Sequence, residues 1–374
     1  MVAVWGQRYI ERFAALTIPS LLASGNLPAL AAMADLEIAI LTPARDIDTL
    51  ESHDSFQRIK ALAEIRYIDI DDLIADSYSG ATLTLAYLRG VTDVGAAMVN
   101  QYFLFINSDL VLADGSLKSV ARRVLEGPRV ILANSIRATS EELEPRLHEL
   151  MNRRSRALSI EPRQLVRMSI SALHPTQISK IVNSDLCHSI HVNQFYWQLD
   201  SNTLISRHFL MFMLCLKPER VIEHIDAFCD YAFVPEFCPS GERVAMEDSD
   251  EFFALELQTR ESERDFLRIG RASVAGIAES LSRWTTEDHR ENALRHTLTF
   301  HAEELPSNHA TEIEVADRYI REISRHLSPD PQPIRHHPYW VGSLRLYEDR
   351  LRALGKLRVG ERVRGAGPEL PANA

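Results

Sequence analysis

Over residues 1–135 short apolar runs alternate with stretches of helical spacing. Residues 1–5 are short and Val-rich, predicting a first strand that ends at Gly6. Residues 7–23 place Tyr9, Ile10, Phe13, Ala14 and Leu16 on one helix face, until Pro19 and the Ser24-Gly25-Asn26 turn interrupt it. Residues 36–41 read as a second strand ended by Thr42-Pro43, and 65–70 as a third, with 55–64 a short helix between them. Asp71-Asp72 opens a further helix, and 81–89 and 94–100 carry helical spacing. Residues 102–106 are continuously apolar, the pattern of a central strand buried on both faces. Residues 115–126 are helical, Gly127-Pro128 breaks them, and 129–134 form another strand. Such alternation predicts an α/β fold, a Rossmann-like, mostly parallel sheet flanked by helices. Right-handed crossovers then set the strand C-termini along one edge, where ligands collect.

The second half has a different texture. Residues 141–157 predict a charged amphipathic helix and 162–171 another. Residues 174–260 are rich in His, aromatics and Cys, with strand-like pieces such as 231–234 and an apolar helical run ending at Leu257. Residues 261–326 are charged and helical, with Trp284 among them, and from Leu354 the chain is Gly-, Arg- and Pro-rich, a disordered composition. These shifts divide the chain into an α/β half at 1–135, a second half of the same domain at 136–260, a mainly helical C-terminal extension at 261–353, and a tail at 354–374.

Composition narrows the function classes. At 374 residues, 45% hydrophobic and 25% charged, the chain has the makeup of a soluble globular protein. A net charge of -11 disfavours nucleic acid as the main partner. Cys187, Cys215, Cys229 and Cys238 show no CxxC spacing, which disfavours a zinc ribbon and points to a reduced cytoplasmic compartment. Arg8, Glu11 and Arg12 break any signal-peptide pattern, and the apolar run at 209–216 is far short of the roughly 20 residues that span a bilayer. Residues 335–364 hold eight Lys and Arg (Arg335, Arg345, Arg350, Arg352, Lys356, Arg358, Arg362, Arg364) against three acids. That asymmetry suits either a solvated tail or peripheral contact with anionic headgroups at the inner membrane face. The amphipathic C-terminal region serves a homo-oligomer or a domain interface equally well.

The segment from Phe103 to Leu117 carries the most chemistry. Its apolar strand ends in Asn107-Ser108-Asp109, then continues extended to Asp114-Gly115. A carboxylate at a strand C-terminus holds a hard, partly hydrated cation that also takes phosphate oxygens. The same tripeptide also suits a plain turn. The segment resembles the DxD region of GT-A glycosyltransferases, with Asn107 in place of the first Asp; the start of the chain, with Trp5-Gly6, Pro19-Ser-Leu-Leu and Ser24-Gly-Asn-Leu-Pro, is similar as well. The likeness covers about 1–135, and more loosely to 260.

That resemblance implies a UDP- or GDP-linked sugar donor, a glycan or lipid-linked acceptor, and a divalent cation (Mn2+ or Mg2+). It assigns the cation to Asp109 with a late histidine, His191, and the donor to Asn107, Ser108 and Asp109, with Trp5, Gly6 and Thr42 around the base. Trp5 is equally well a large core residue. Asp248 and Asp250, in the acidic run 247–251, become base candidates by the same analogy, or else acids favouring a helix N-terminus. Asn193 and Trp197 are of types that suit a sugar acceptor. Two alternatives stay open: a catalytically inert nucleotide-sugar scaffold, and a nucleotidyltransferase, although Gly6-Gln7-Arg8 matches poorly the Gly-rich loop that grips a triphosphate.

Overall fold

The computed structural model describes residues 1–74, 79–183, 187–189, 193–225, 227–329 and 338–355. In the first half the strands are β1 (Val2–Ala3), β2 (Glu37–Leu41), β3 (Glu64–Ile68), β4 (Phe103–Leu104), β5 (Ile106–Asn107), β6 (Leu110–Leu112), β7 (Val130–Ala133) and β8 (Ser135–Thr139). In the second they are β9 (Cys187–Ser189), β10 (Gln194–Gln198), β11 (Thr203–His208), β12 (Phe212–Leu216), β13 (Arg243–Ala245), β14 (Ala254–Gln258), β15 (Leu267–Ile269) and β16 (Leu298–His301).

A parallel sheet in the order β3-β2-β1-β5 stands beside a second in the order β13-β7-β12-β4. They join along residues 103–107. There the Phe105 amide donates to Leu214 O at 2.9 Å, while the next amide, Ile106, donates to Met1 O at 3.0 Å on the other side. The result is one continuous sheet in which β12 alone runs antiparallel to both its neighbours. Its interior strands are buried on both faces (Ile40, Leu41, Ile131 and Leu214 are each 0% exposed), which is why they read as unbroken apolar runs.

A third sheet, β6-β14-β8, leaves the edge of the first; β14 runs antiparallel to β6 and parallel to β8. Residues 136–260 are thus woven into the strands of the first half. A fourth sheet, β10-β11-β16, packs Phe195, Trp197 and Ile205 against the helices Val274–Ser282 and His309–His326. The helix Pro338–Ala353 returns to the first half, where Arg350 donates to Asp71 O at 3.0 Å.

Two expected elements change type. Residues 231–234, expected as strand-like, lie inside the helix Cys229–Phe237, and the expected helical run to Leu257 is the strand β14. Both are short apolar runs, where periodicity alone does not separate strand from helix. The remaining charged region is helical but interrupted by β15 and β16.

The N-terminal helix positions the end of the central strand. It passes through a π-helical turn, Phe13–Thr17, and the Thr17 hydroxyl donates to Ser108 O at 2.8 Å. Arg12 donates to Leu257 O at 2.9 Å and pairs with Glu144. The fully buried Asn26 donates to Ser20 O (2.8 Å) and Ala113 O (3.0 Å) and accepts from Leu117 N (3.0 Å). A Cβ on Gly25 would come within 2.5 Å of Gly115 N, so this approach requires glycine.

Asn26→Ala strands three buried backbone partners and is expected to cost about 3 kcal/mol. Urea unfolding checks this; a loss below about 1 kcal/mol would show that the contacts do not hold the turn.

Candidate functional site

The chain lays β1, β2 and β3 outward on one side, then returns to place β4 and β5 on the other side of β1. The strand order therefore reverses between β1 and β5, and in open α/β sheets ligands bind beyond the strand C-termini at that point. Trp5 and Gly6 follow β1, Thr42 follows β2, and Asn107-Ser108-Asp109 closes β5.

A cavity of about 240 Å³ opens beside this edge. Its polar lining includes Asn107, Asn134, Arg137, Lys180, Asp230 and Glu256; Leu110, Met211, Phe212 and Phe252 supply apolar surface. Asn107 is held from behind by the buried Tyr87, whose hydroxyl lies 3.0 Å from Asn107 Oδ1 and 3.1 Å from Ile106 O. Tyr87 in turn packs edge-on against Phe105 at 5.0 Å. With Oδ1 held, the Asn107 amide nitrogen is the group left for a ligand.

Asp109 is 9% exposed and takes Gln258 Nε2 on Oδ2 at 3.3 Å. The same Gln258 nitrogen reaches Glu256 Oε1 at 3.2 Å, so one neutral amide holds both carboxylates. Strand pairing explains the meeting: β14 lies against β6, and Leu257 N donates to Asp109 O at 3.2 Å. Burial first, then the Glu256 charge, pushes the Asp109 carboxyl up to about 7. Burial also acts to raise Glu256, but Arg137, 2.9 Å away, outweighs it and holds that group below its usual range. Among the described residues no ion pair reaches Asp109.

Other chemistry lies nearby. Asp230 faces the cavity from the first turn of the helix Cys229–Phe237, and its carboxyl is raised by burial. Asp248 and Asp250 do not line the cavity. They begin the turn that ends at the lining residue Phe252, where Asp248 O accepts from Phe252 N at 3.1 Å. With His301 of β16 they form a group whose ligand atoms lie within 4.8 Å of one another and which could hold a metal ion. In the protein this group is an ion-pair network. His301 Nε2 contacts Asp248 Oδ1 at 3.1 Å, and Arg163 grips Asp250 through Nε (3.1 Å) and Nη2 (2.9 Å). The hydrogen bond to His301 holds Asp248 below its ordinary value, and the same bond raises His301.

The remaining expected residues are scattered. Asn193 lines the cavity, and its Oδ1 is buried with no hydrogen-bond partner. Trp197 is 2% exposed and packs edge-on against Tyr319 at 5.8 Å, which places it in the core of the helical side and away from the cavity lining. Trp5 is half-buried against the main core, Gly6 is exposed at φ 78, and Thr42 is fully buried with its hydroxyl unpartnered. His191 lies outside the described residues. His174 caps the short helix Pro175–Ile178, and its Nε2 lies 2.8 Å from Thr259 O, a structural role.

Sequence reasoning missed Arg137, Gln177, Lys180, Glu256 and Gln258. Only the last two left a signal: in Ala254-Leu-Glu-Leu-Gln258 the polar side chains alternate, placing Glu256 and Gln258 on one face of a strand.

No protein-family model matches the chain, and no curated protein matches it. The site therefore rests on its own geometry. No helix among the described residues is long and apolar enough to cross a membrane.

The His301–Asp248 pair yields a pH signature. His301 is raised, so its contribution is complete below about pH 6.5 and is lost as pH rises through its folded value; Asp248 is lowered, so its contribution is lost in acid below about pH 4. Screening of the half-exposed Asp248 reduces the effect to about 0.5 kcal/mol. The Tm difference between wild type and His301→Gln should be larger at pH 5.5 than at pH 8.5, by about half a degree. Equal differences would show that the pair is not charged.

Proposed function

We propose that the chain is a glycosyltransferase of the GT-A type, moving a sugar from a UDP- or GDP-linked donor to a glycan or lipid-linked acceptor. The observation that carries this reading is the position of Asn107-Ser108-Asp109. It leaves its strand where the sheet order reverses, Asn107 lines a cavity sized for one sugar ring, and Asp109 lies beside a second carboxylate.

The donor set fits a cation. Asp109 and Glu256 supply hard oxygens of the kind that Mg2+ and Mn2+ take; Arg137 pairs with Glu256, while among the described residues no ion pair reaches Asp109. Glu256 thereby offsets the loss of a carboxylate at Asn107. A divalent cation at these residues would neutralise the charge that gathers on a leaving diphosphate. Asn107 directs its amide nitrogen at the donor, oriented by Tyr87, while Phe212 and Phe252 offer apolar surface to a ring face and exclude water.

Activation of the acceptor hydroxyl, if configuration inverts, falls to a carboxylate in the cavity. Asp230 lines the cavity, and burial raises its carboxyl, which makes it a stronger base than an exposed aspartate. Asp248 and Asp250 are engaged by His301 and Arg163 away from the cavity lining, so their contribution is to fix the turn that carries Phe252.

Two measurements separate this reading from its rivals. Calorimetric titration should show UDP or GDP binding at least tenfold tighter with Mn2+, with that gain lost in Asp109→Ala; binding indifferent to both would overturn the cation's role. Donor hydrolysis should release nucleoside diphosphate, and Asp230→Asn should lower turnover about 100-fold with nucleotide affinity unchanged. Tight nucleotide binding with no release from any donor would favour an inert scaffold.

A further inference from the structure

The wall of the cavity formed by β8, β10 and the helix Pro175–Ile178 carries groups that the sugar-transfer reading leaves without a task. Lys180 follows that helix and reaches into the cavity, where Nζ donates to Gln194 Oε1 at 2.9 Å. Among the described residues no carboxylate lies within ion-pair distance of it. An ammonium has three donors, so two are left for a ligand.

Gln177 is 3% exposed and lines the same wall. Its Oε1 accepts from Arg137 N at 3.3 Å; among the described residues Nε2 makes no well-formed hydrogen bond, although the side chain interacts with the Tyr196 hydroxyl. Arg137 completes the set with a guanidinium paired to Glu256 at 2.9 Å and also to Glu263. Donors thus converge on one side of the cavity, while Asn107 and Leu110 lie toward the strand end.

The half-buried Lys180 ammonium has a neutral amide for its hydrogen-bond partner and keeps donors to spare, and a buried amide nitrogen without a well-formed hydrogen bond is costly to keep. Burial lowers Lys180 to about 8, Arg137 acts in the same direction, and Glu256 and Glu263 oppose them without reversing the shift. Hydroxyl groups alone would satisfy the hydrogen bonds but bring no charge within ion-pair distance of Lys180.

We infer that this cavity selects a donor sugar bearing a carboxylate, with Lys180 Nζ and Gln177 Nε2 as the groups that receive it. The inference rests on the donor-sugar reading above and adds the substrate class: a uronic-acid type of sugar in preference to its neutral counterpart. The carboxylate makes a charge-assisted hydrogen bond to Lys180 and takes up the free Gln177 donor, relieving both. Asn107 lines the same cavity as Lys180 and Gln177.

The test compares two matched pairs in the presence of Mn2+: UDP-glucuronate against UDP-glucose, and GDP-mannuronate against GDP-mannose, with free UDP and GDP alongside. The uronate member of the pair whose nucleotide binds should bind at least tenfold tighter than the neutral one. Lys180→Met should erase that preference, and Gln177→Glu should reverse it by placing a second carboxylate at the wall. Melting curves guard the first variant: a transition as cooperative as that of the wild type shows that it folds. A nucleotide that binds while the wild type shows no uronate preference would overturn this inference and leave the transferase reading standing. A preference that survives in both folded variants would also overturn it. Failure of both free nucleotides to bind would instead remove the transferase reading on which it rests.

Discussion

Along residues 103–107 successive backbone amides reach in opposite directions, Phe105 to β12 and Ile106 to the start of β1. This short strand is what makes one sheet of two. Its apolar side chains are held between layers, with Phe105 fully buried against Tyr87 and Phe233. The strand cannot shift by one residue without turning Phe105 out of the core, so its register is fixed. Asn107-Ser108-Asp109, at its C-terminal end, is fixed with it.

The surrounding elements add constraint rather than chemistry. Thr17, delivered by a π-helical turn, holds Ser108 through its carbonyl, and Tyr87 holds Asn107. Asn26 and Gly25 close the loop beyond β6 by contacts that no other residue at Gly25 would allow. The chemistry arrives from far along the chain: β14 is drawn between β6 and β8 and brings Glu256 and Gln258 to Asp109. The pairing of a desolvated carboxylate with another carboxylate is a state that the rest of the fold must hold in place.

The parts of this arrangement that sequence pattern reveals obey one physical rule. Strands buried on both faces, such as β2 and β7, announce themselves as apolar runs, and the helix Ser116–Glu126 is bracketed by Gly115 and Gly127 at positive φ. The strand-end carboxylate Asp109 is visible for the same reason, because it interrupts such a run. Residues 231–234 and 254–257 misled because a short apolar run has no period to read. Arg137, Lys180 and Gln177 were hidden because their meaning is their neighbours, and those neighbours come from strands and helices distant in the chain. Trp197 shows the converse: an aromatic of a type suited to sugar stacking is a core residue once β10 is covered by the helix His309–His326.

Two groups of oxygen and nitrogen ligands therefore compete for any bound cation: Asp109 with Glu256 at the strand end, and Asp248, Asp250 with His301 beyond the cavity. In the first, Arg137 pairs with Glu256 and among the described residues no ion pair reaches Asp109, whereas the second is satisfied by Arg163 and by its own histidine. Anomalous diffraction at the manganese edge, from crystals soaked with Mn2+ and the nucleoside diphosphate that binds, locates the ion directly. The account predicts a peak bonded to Asp109, with the diphosphate beside Asn107. A single peak bonded to Asp248, Asp250 and His301, with the nucleotide away from the strand end, would contradict it.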